Sequence, residues 1–233
     1  VKDAREIGHA PSLIYALAGT SLTHLLVGNY ASANAQTDEA VAMAEEKSVL
    51  FWKAWGATVQ GCVLAATGKA SDAVHQITSG ITAYRSTGAT VQLPTWLSEL
   101  AEAYADLRQF DDAWRCIGEA TVAVEKTKER WWEAEVNRIA GEIALRSRQP
   151  DAAKAEGYFD SALAIARQQQ AKSWELRAAM SLARLWRDQG KVSEARELLA
   201  PVYGWFTEGF DTLDLKEAKA LLEELTSKGV RAQ

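Results

Sequence analysis

The sequence contains little cysteine, proline or histidine. Its 233 residues include only two cysteines, Cys62 and Cys116, which are too few for a disulfide framework and form no Cys-x-x-Cys pair. We therefore expect a reducing compartment, the cytoplasm. Residues 7–37 carry no Lys, Arg, Asp or Glu, but polar residues interrupt the apolar ones, which argues against a membrane span. This stretch is predicted to be a buried helical hairpin.

The chain also lacks an excess of positive charge. It has 26 Lys and Arg against 31 Asp and Glu, a net charge of −5. Because phosphate backbones require clustered basic side chains, we expect no direct binding of nucleic acid. The charges are unevenly distributed: residues 1–90 hold 6 basic and 7 acidic side chains, whereas residues 91–233 hold 20 and 24. A nearly neutral, apolar half is therefore joined to a charge-dense half.

Alanine is the most conspicuous residue that is present. There are 42 alanines against 4 prolines, and since alanine is the best helix former, the composition predicts an all-α protein. The chain begins at Val1, in helix-like sequence, without a signal-peptide pattern. We expect it to be a fragment of a longer protein.

A regular internal repeat predicts how the helices are arranged. Five alanines recur at spacings of 40, 40, 42 and 40 residues, each after a turn-like segment: Ala33, Ala73, Ala113, Ala155 and Ala195. Such a period predicts stacked helix pairs. We predict one repeat domain over residues 1–233, with pairs at 11–47, 50–88, 91–128, 131–170 and 173–207 and a capping helix at 213–225. Pro201, inside the last predicted second helix, should kink or break it.

The repeats resemble tetratricopeptide repeats (TPRs), which place small and large side chains at fixed positions of each helix pair. The third repeat shows the pattern with Ala101, Tyr104, Arg108, Phe110, Ala113, Ile117 and Ala120. The resemblance implies a right-handed α-α superhelix whose first helices line a concave groove. It implies a protein or peptide partner, no cofactor and no catalytic residue.

A finer resemblance covers residues 128–225. This part is similar to the C-terminal repeat region of large bacterial signalling proteins, in which a class III adenylate or guanylate cyclase domain, or a DNA-binding activator domain, precedes a predicted signal-transduction ATPase. The resemblance implies a non-catalytic regulatory or protein-interaction module that binds a peptide or a partner domain. Any cyclase or ATPase activity would belong to upstream domains.

The predicted groove positions change character along the chain. The first two repeats place apolar side chains there, including Tyr15 and Trp55, and we expect this end to pack against an upstream repeat, another domain or a second copy. The later repeats place charged side chains there. The candidate binding residues of this charged end are Glu102, Arg138, Glu142, Arg146, Arg177, Arg184 and Arg187. The arginines could receive an acidic peptide or a polyanion, or could pair internally with Glu135, Glu142 and Asp188.

The sequence gives little indication of a metal site. His9 and His75 each lie three residues after an acid, as in helix-bundle metal sites, but the surrounding helices offer no further inward carboxylates, so we expect no metal. Trp52, Trp132 and Trp174 share one repeat position and are interpreted as packing residues. Two alternatives to a ligand-binding scaffold stay open. One is a structural spacer or dimerisation module, and the other is a helical-bundle metalloprotein.

Overall fold

The computed structural model describes the backbone of residues 1–231 and the side chains up to residue 227. Within that range the chain forms twelve α-helices and no strand. The first helices of the pairs are α2 (Ala10–Leu26), α4 (Leu50–Ala66), α6 (Leu93–Asp106), α8 (Glu133–Arg146) and α10 (Lys172–Asp188). The second helices are α3 (Tyr30–Glu46), α5 (Ala70–Ser86), α7 (Phe110–Thr127), α9 (Ala152–Gln168) and α11 (Val192–Tyr203). A short α1 (Lys2–Ile7) precedes the pairs, and α12 (Leu213–Arg231) follows them.

The all-α prediction is confirmed. The helix pairs begin within two residues of their predicted starts and end within four of their predicted ends, whereas α12 continues six residues beyond its predicted end at residue 225. Pro11 and Pro94 lie in the first turns of α2 and α6, where a missing N–H costs little. Helix α11 runs through Pro201 and ends two residues later at Tyr203, four residues before the predicted end of the fifth pair at 207. None of the helices within the described range is both long enough and apolar enough to cross a membrane.

The chain divides into two compact units. Unit 1 comprises residues 1–127 with α1 to α7, and unit 2 comprises residues 128–233 with α8 to α12. Within each unit the two helices of a pair pack together, and each second helix also packs against the first helix of the next pair. Consecutive first helices also touch, as α2 and α4 do in unit 1 and α8 and α10 do in unit 2.

Small residues lie where the helices approach most closely. All five repeating alanines are completely buried. A Cβ added at Gly61 would lie 2.5 Å from Ile77 Cγ1, and one added at Gly141 would lie 2.4 Å from the Phe159 ring. Such distances are far below van der Waals contact, so only glycine lets the two helices of these pairs meet as they do. The repeat pattern of small residues thus has a direct steric cause.

Helix α12 packs against α10 and α11. It buries Leu215, Leu221 and Leu225, and its opposite face is polar and exposed, with Lys216 and Glu223. Leu213, the first residue of the helix, is 41% exposed. A charged outer face of this kind is what a terminal helix of a repeat array needs in order to contact water.

Candidate functional site

The first helices of unit 2 carry a connected set of ion pairs. Arg138 Nε lies 2.9 Å from Glu135 Oε1, and Arg177 Nη1, one repeat later, lies 3.0 Å from Glu135 Oε2. Arg177 also reaches Asp214 of α12, with 3.8 Å between Nε and Oδ1. One carboxylate of α8 therefore binds arginines from two helices, and one of these arginines extends the set to a third helix.

This inner part of the set is buried. Glu135 is 1% exposed and Arg138 is 8% exposed. Burial by itself would raise the pKa of Glu135, but the charges of Arg138 and Arg177, together with the hydrogen bond from Arg138, hold that pKa below its ordinary value. Burial raises the pKa of Asp214, and the charge of Arg177 offsets only part of that rise. Glu135 is therefore an ionised carboxylate that holds helices together.

Two further ion pairs join α10 to α12, and they share no residue with the set that contains Glu135. Arg184 Nη2 is 2.7 Å from Glu217 Oε2, and these side chains are 39% and 45% exposed. Arg187 Nη1 is 2.9 Å from Glu224 Oε2, and its Nε is 2.8 Å from Asp188 Oδ1. The partners Glu217 and Glu224 come from α12, whose role the sequence analysis limited to capping.

The remaining charged candidates lie nearby or in the other unit. Arg146 Nε donates to the backbone carbonyl of Glu142 at 3.3 Å, and Ser181 Oγ of α10 donates to Glu142 Oε1 at 2.7 Å. Glu102 belongs to α6 of unit 1 and is half-buried. The structure thus brings Arg138, Glu142 and Arg177 together in unit 2. Arg138 and Arg177 each pair with a carboxylate of the chain itself.

The apolar candidates of unit 1 have different surroundings. Trp55 is only 4% exposed, and its Nε1 donates to Gln92 Oε1 at 2.9 Å, so the structure places it in the core of unit 1. Thr58 and Cys62, at two further groove positions of the same repeat, are completely buried. Tyr15 is 70% exposed and contacts Trp52 edge-on, with 6.0 Å between ring centroids. Most of the apolar groove predicted for this end is therefore covered within unit 1 itself.

A cavity at one edge of unit 2 was not predicted from the sequence. We call it the edge cavity. Its volume is about 560 Å³, and its lining includes Arg130, Trp131, Glu133, Ile165, Gln168 and Trp174. Trp132 is fully buried beneath it and contacts both indoles that line it, at 4.9 Å in each case. The signal that could have indicated it is Trp131, a second tryptophan beside the recurring one.

Both cysteines are free and buried. Burial raises the pKa of the Cys62 thiol well above its ordinary value and that of Cys116 to about 11, so both thiols are protonated at neutral pH and are poor nucleophiles. His9 Nδ1 lies 2.9 Å from Ser12 Oγ. No group of three or more His, Cys, Asp or Glu side chains placed to hold a metal occurs in the described part of the chain.

Comparisons with known proteins bear on the fold. No family model matches the sequence. No curated protein matches it either. Among solved structures, a Rap protein complexed with Competence and Sporulation Factor matches with a TM-score of 0.75 and 16% identity, over 94% of this chain and 66% of that one.

Two further structures are similar. A signal transduction ATPase with numerous domains and a tetratricopeptide repeat sensor, from Pyrococcus horikoshii, gives a TM-score of 0.64 at 15% identity, over 96% of this chain and 37% of that one. PilF of Pseudomonas aeruginosa gives 0.58 at 14% identity, over 96% and 93%. The chain thus spans just under two thirds of the Rap chain and about a third of the ATPase chain. At these identities the likeness is one of fold, and the chain has the fold of TPR-like helical repeat proteins.

Proposed function

We propose that the chain is a non-catalytic protein-interaction scaffold whose ligand binds along the first helices of unit 2. The observation that carries this proposal is a short row of two arginines on α10, Arg184 and Arg187. Their side chains are 39% and 22% exposed, and those of their partners Glu217 and Glu224 are 45% and 39% exposed. TPR-like structures support an interaction role in general, and the Rap protein was solved in complex with Competence and Sporulation Factor. We further propose a cytoplasmic regulator of the cyclase or transcriptional-activator type as the parent protein.

The strength of the existing ion pairs decides which arginines can exchange partners. Exposed pairs contribute about 0–1 kcal/mol, so a ligand carboxylate can replace Glu217 or Glu224 at little cost. Separating a buried pair such as Arg138 and Glu135 costs several kcal/mol. The ligand contacts are therefore assigned to Arg184 and Arg187, and the inner arginines are assigned to holding the helices. An acidic peptide segment is the ligand class that fits, because guanidinium groups pair well with carboxylates.

The experiment uses a fluorescent octaglutamate peptide as the probe and fluorescence anisotropy as the measurement. The wild-type chain should bind it with an affinity that falls as salt rises, and the Arg184→Glu/Arg187→Glu variant should bind at least about tenfold more weakly. The matched control is Arg115→Glu in unit 1, since Arg115 is exposed and paired with Asp112 and Glu119 in a similar way. Equal binding by the double variant and the wild type would refute the assignment.

The second candidate function is a dimerisation module. Exposed apolar side chains on and beside α2 favour it. Tyr15 on α2 is 70% exposed, whereas its repeat counterpart Trp55 is 4% exposed. Ile7, just before α2, is 71% exposed. Sedimentation velocity at several protein concentrations should show a concentration-dependent dimer if this face binds a second copy, and Tyr15→Glu should abolish it. A single monomeric species at every concentration would remove this candidate.

A further inference from the structure

The edge cavity is a preformed site that is separate from the arginine row. Its walls are the half-buried indoles of Trp131 and Trp174, with 6.4 Å between ring centroids and 43° between ring planes, and Ile165 lies beside them. A volume of about 560 Å³ falls in the range of small-molecule and side-chain binding pockets. It is large enough to hold one bulky side chain together with part of its backbone.

Both indoles are held in place before any ligand arrives. Trp131 Nε1 donates to Glu129 Oε1 at 2.7 Å, and the buried Trp132 contacts both rings edge-on. The Arg177 guanidinium lies 5.7 Å from the centroid of the Trp174 ring. A ligand would therefore lose little free energy to ordering these walls, and rigid aromatic anchors of this kind dominate many protein interfaces.

The charges in the lining indicate the chemical class of the ligand. The two charged lining groups, Arg130 and Glu133, pair with each other at 3.3 Å between Nη1 and Oε2. The lining therefore carries no net charge that would attract a charged ligand. Gln168 and Gln169 add polar rim groups, and Gln169 Nε2 already donates to the Arg130 backbone carbonyl at 2.8 Å. The rim can therefore pair with a peptide backbone, and the interior suits a neutral side chain.

We infer that the edge cavity binds a large, neutral apolar side chain, aromatic or branched, on an extended segment of a partner protein. This contact is independent of the acidic ligand proposed for Arg184 and Arg187. The pair of indoles also distinguishes unit 2 from unit 1. Trp131 and Trp174 belong to consecutive repeats, and the second and third repeats place Phe51 and Gln92 at those two positions, where Gln92 accepts the hydrogen bond from Trp55. The second repeat itself has Trp52 at the repeat position of Trp174.

The repeat itself supplies a conservative test variant. Trp174→Gln introduces the residue that the third repeat already has at this position, and Trp131→Val introduces the one that precedes it there, Val91. Trp52→Gln makes the same change at the same repeat position in unit 1 and is the matched control. Circular dichroism of each variant verifies that the helices are retained.

The probes are N-acetyl-phenylalanine amide, N-acetyl-lysine amide and N-acetyl-glutamate amide, and the measurement is the shift of the indole N–H signals in ¹H–¹⁵N spectra. The phenylalanine probe should shift the Trp131 and Trp174 signals saturably in the millimolar range, and the charged probes should bind at least about tenfold more weakly. Trp174→Gln and Trp131→Val should each remove the saturable shift, and Trp52→Gln should preserve it.

Three results would each overturn the inference: no saturable shift with the phenylalanine probe, a charged probe that binds as well or better, or an unchanged response in both cavity variants. The Arg184→Glu/Arg187→Glu variant serves as the remaining comparison. It should bind the phenylalanine probe as the wild type does, so that a failure of the proposed acidic ligand and a failure of the edge cavity give different results.

Discussion

Units 1 and 2 use the same repeat positions for different interactions. In unit 1, Trp55 and Thr58 lie three residues apart on α4, and both are buried and uncharged. Two repeats later, at the corresponding repeat positions of α8, Glu135 and Arg138 are also buried but form an ion pair. The helix pairs are built alike, and the chemistry along their first helices differs.

This difference predicts that pH and salt affect the stability of unit 2 more than that of unit 1. Apolar burial is insensitive to pH and is weakened little by moderate salt, whereas ion pairs respond to both. A face held together by charge also offers groups that a charged ligand can recruit, and a face of buried indole and thiol does not. The following experiments test this contrast, from the largest expected effect to the smallest.

The largest effect is expected from Glu135→Gln. The substitution keeps the shape of the side chain but leaves Arg138 and Arg177 without their shared carboxylate in a buried position. Removing one partner of a buried ion pair typically costs about 3–5 kcal/mol. Denaturant unfolding followed by circular dichroism should show a loss of at least about 3 kcal/mol in the free energy of unfolding.

Glu223→Gln is the control for that measurement. Glu223 is 69% exposed and lies 3.9 Å from Lys219, so its replacement should change the free energy of unfolding by less than about 0.5 kcal/mol. If Glu135→Gln were as mild as this control, the ion pairs of unit 2 would not hold its helices together, and the contrast with unit 1 would disappear.

The second prediction concerns pH. Because the pKa of Glu135 in the folded chain lies below its ordinary value of 4.5, its contribution to stability is complete above pH 4.5 and is lost as the pH falls through the lowered value. Asp214, with a raised pKa, acts in the opposite direction. The difference in unfolding free energy between wild type and Glu135→Gln should therefore shrink as the pH falls below 4.5. A difference that stays constant down to the acid transition would contradict the assignment.

The third prediction compares one steric position in both units. Gly61→Ala and Gly141→Ala should each destabilise the chain by about 1–3 kcal/mol, because the new Cβ would overlap Ile77 or Phe159. Gly118, inside α7, has no atom within 4 Å of an added Cβ. Gly118→Ala should therefore stabilise the chain by about 0.5–1 kcal/mol, as helix propensity dictates. Thermal unfolding of the three variants checks both signs.

The sequence allowed the repeat architecture to be predicted because that architecture depends on local rules. The alanine period and the small residues at close contacts are read directly from residue type and spacing, and the structure places Ala73 and Ala113 completely in the core. Helix starts were predicted well for the same reason. At α8 the sequence suggested a start at residue 131, and the structure begins the helix at Glu133.

Partner choice could not be predicted, because it depends on neighbours in other repeats. Trp55 occupies a groove position by its spacing, yet Gln92, 37 residues later, accepts a hydrogen bond from its ring N–H, and the ring is buried. The arginines could pair with a ligand or internally, and the sequence left both open. The structure gives Arg184 a carboxylate 33 residues further along, on a helix that had been interpreted only as a cap.

Arg184 is where stability and binding should separate, since a small effect on stability is expected there. Its pair with Glu217 is exposed on both sides, so Arg184→Gln should change the free energy of unfolding by less than about 1 kcal/mol. In the proposed function the same change removes a ligand contact and should weaken octaglutamate binding severalfold. Denaturant unfolding and anisotropy on one preparation test both. A large loss of stability would place Arg184 with Glu135 among the structural charges. An unchanged affinity would show that Arg184 does not contact the ligand. The Arg184–Glu217 pair would then be an ordinary surface ion pair, on a face whose helices are held together by the buried carboxylate of Glu135.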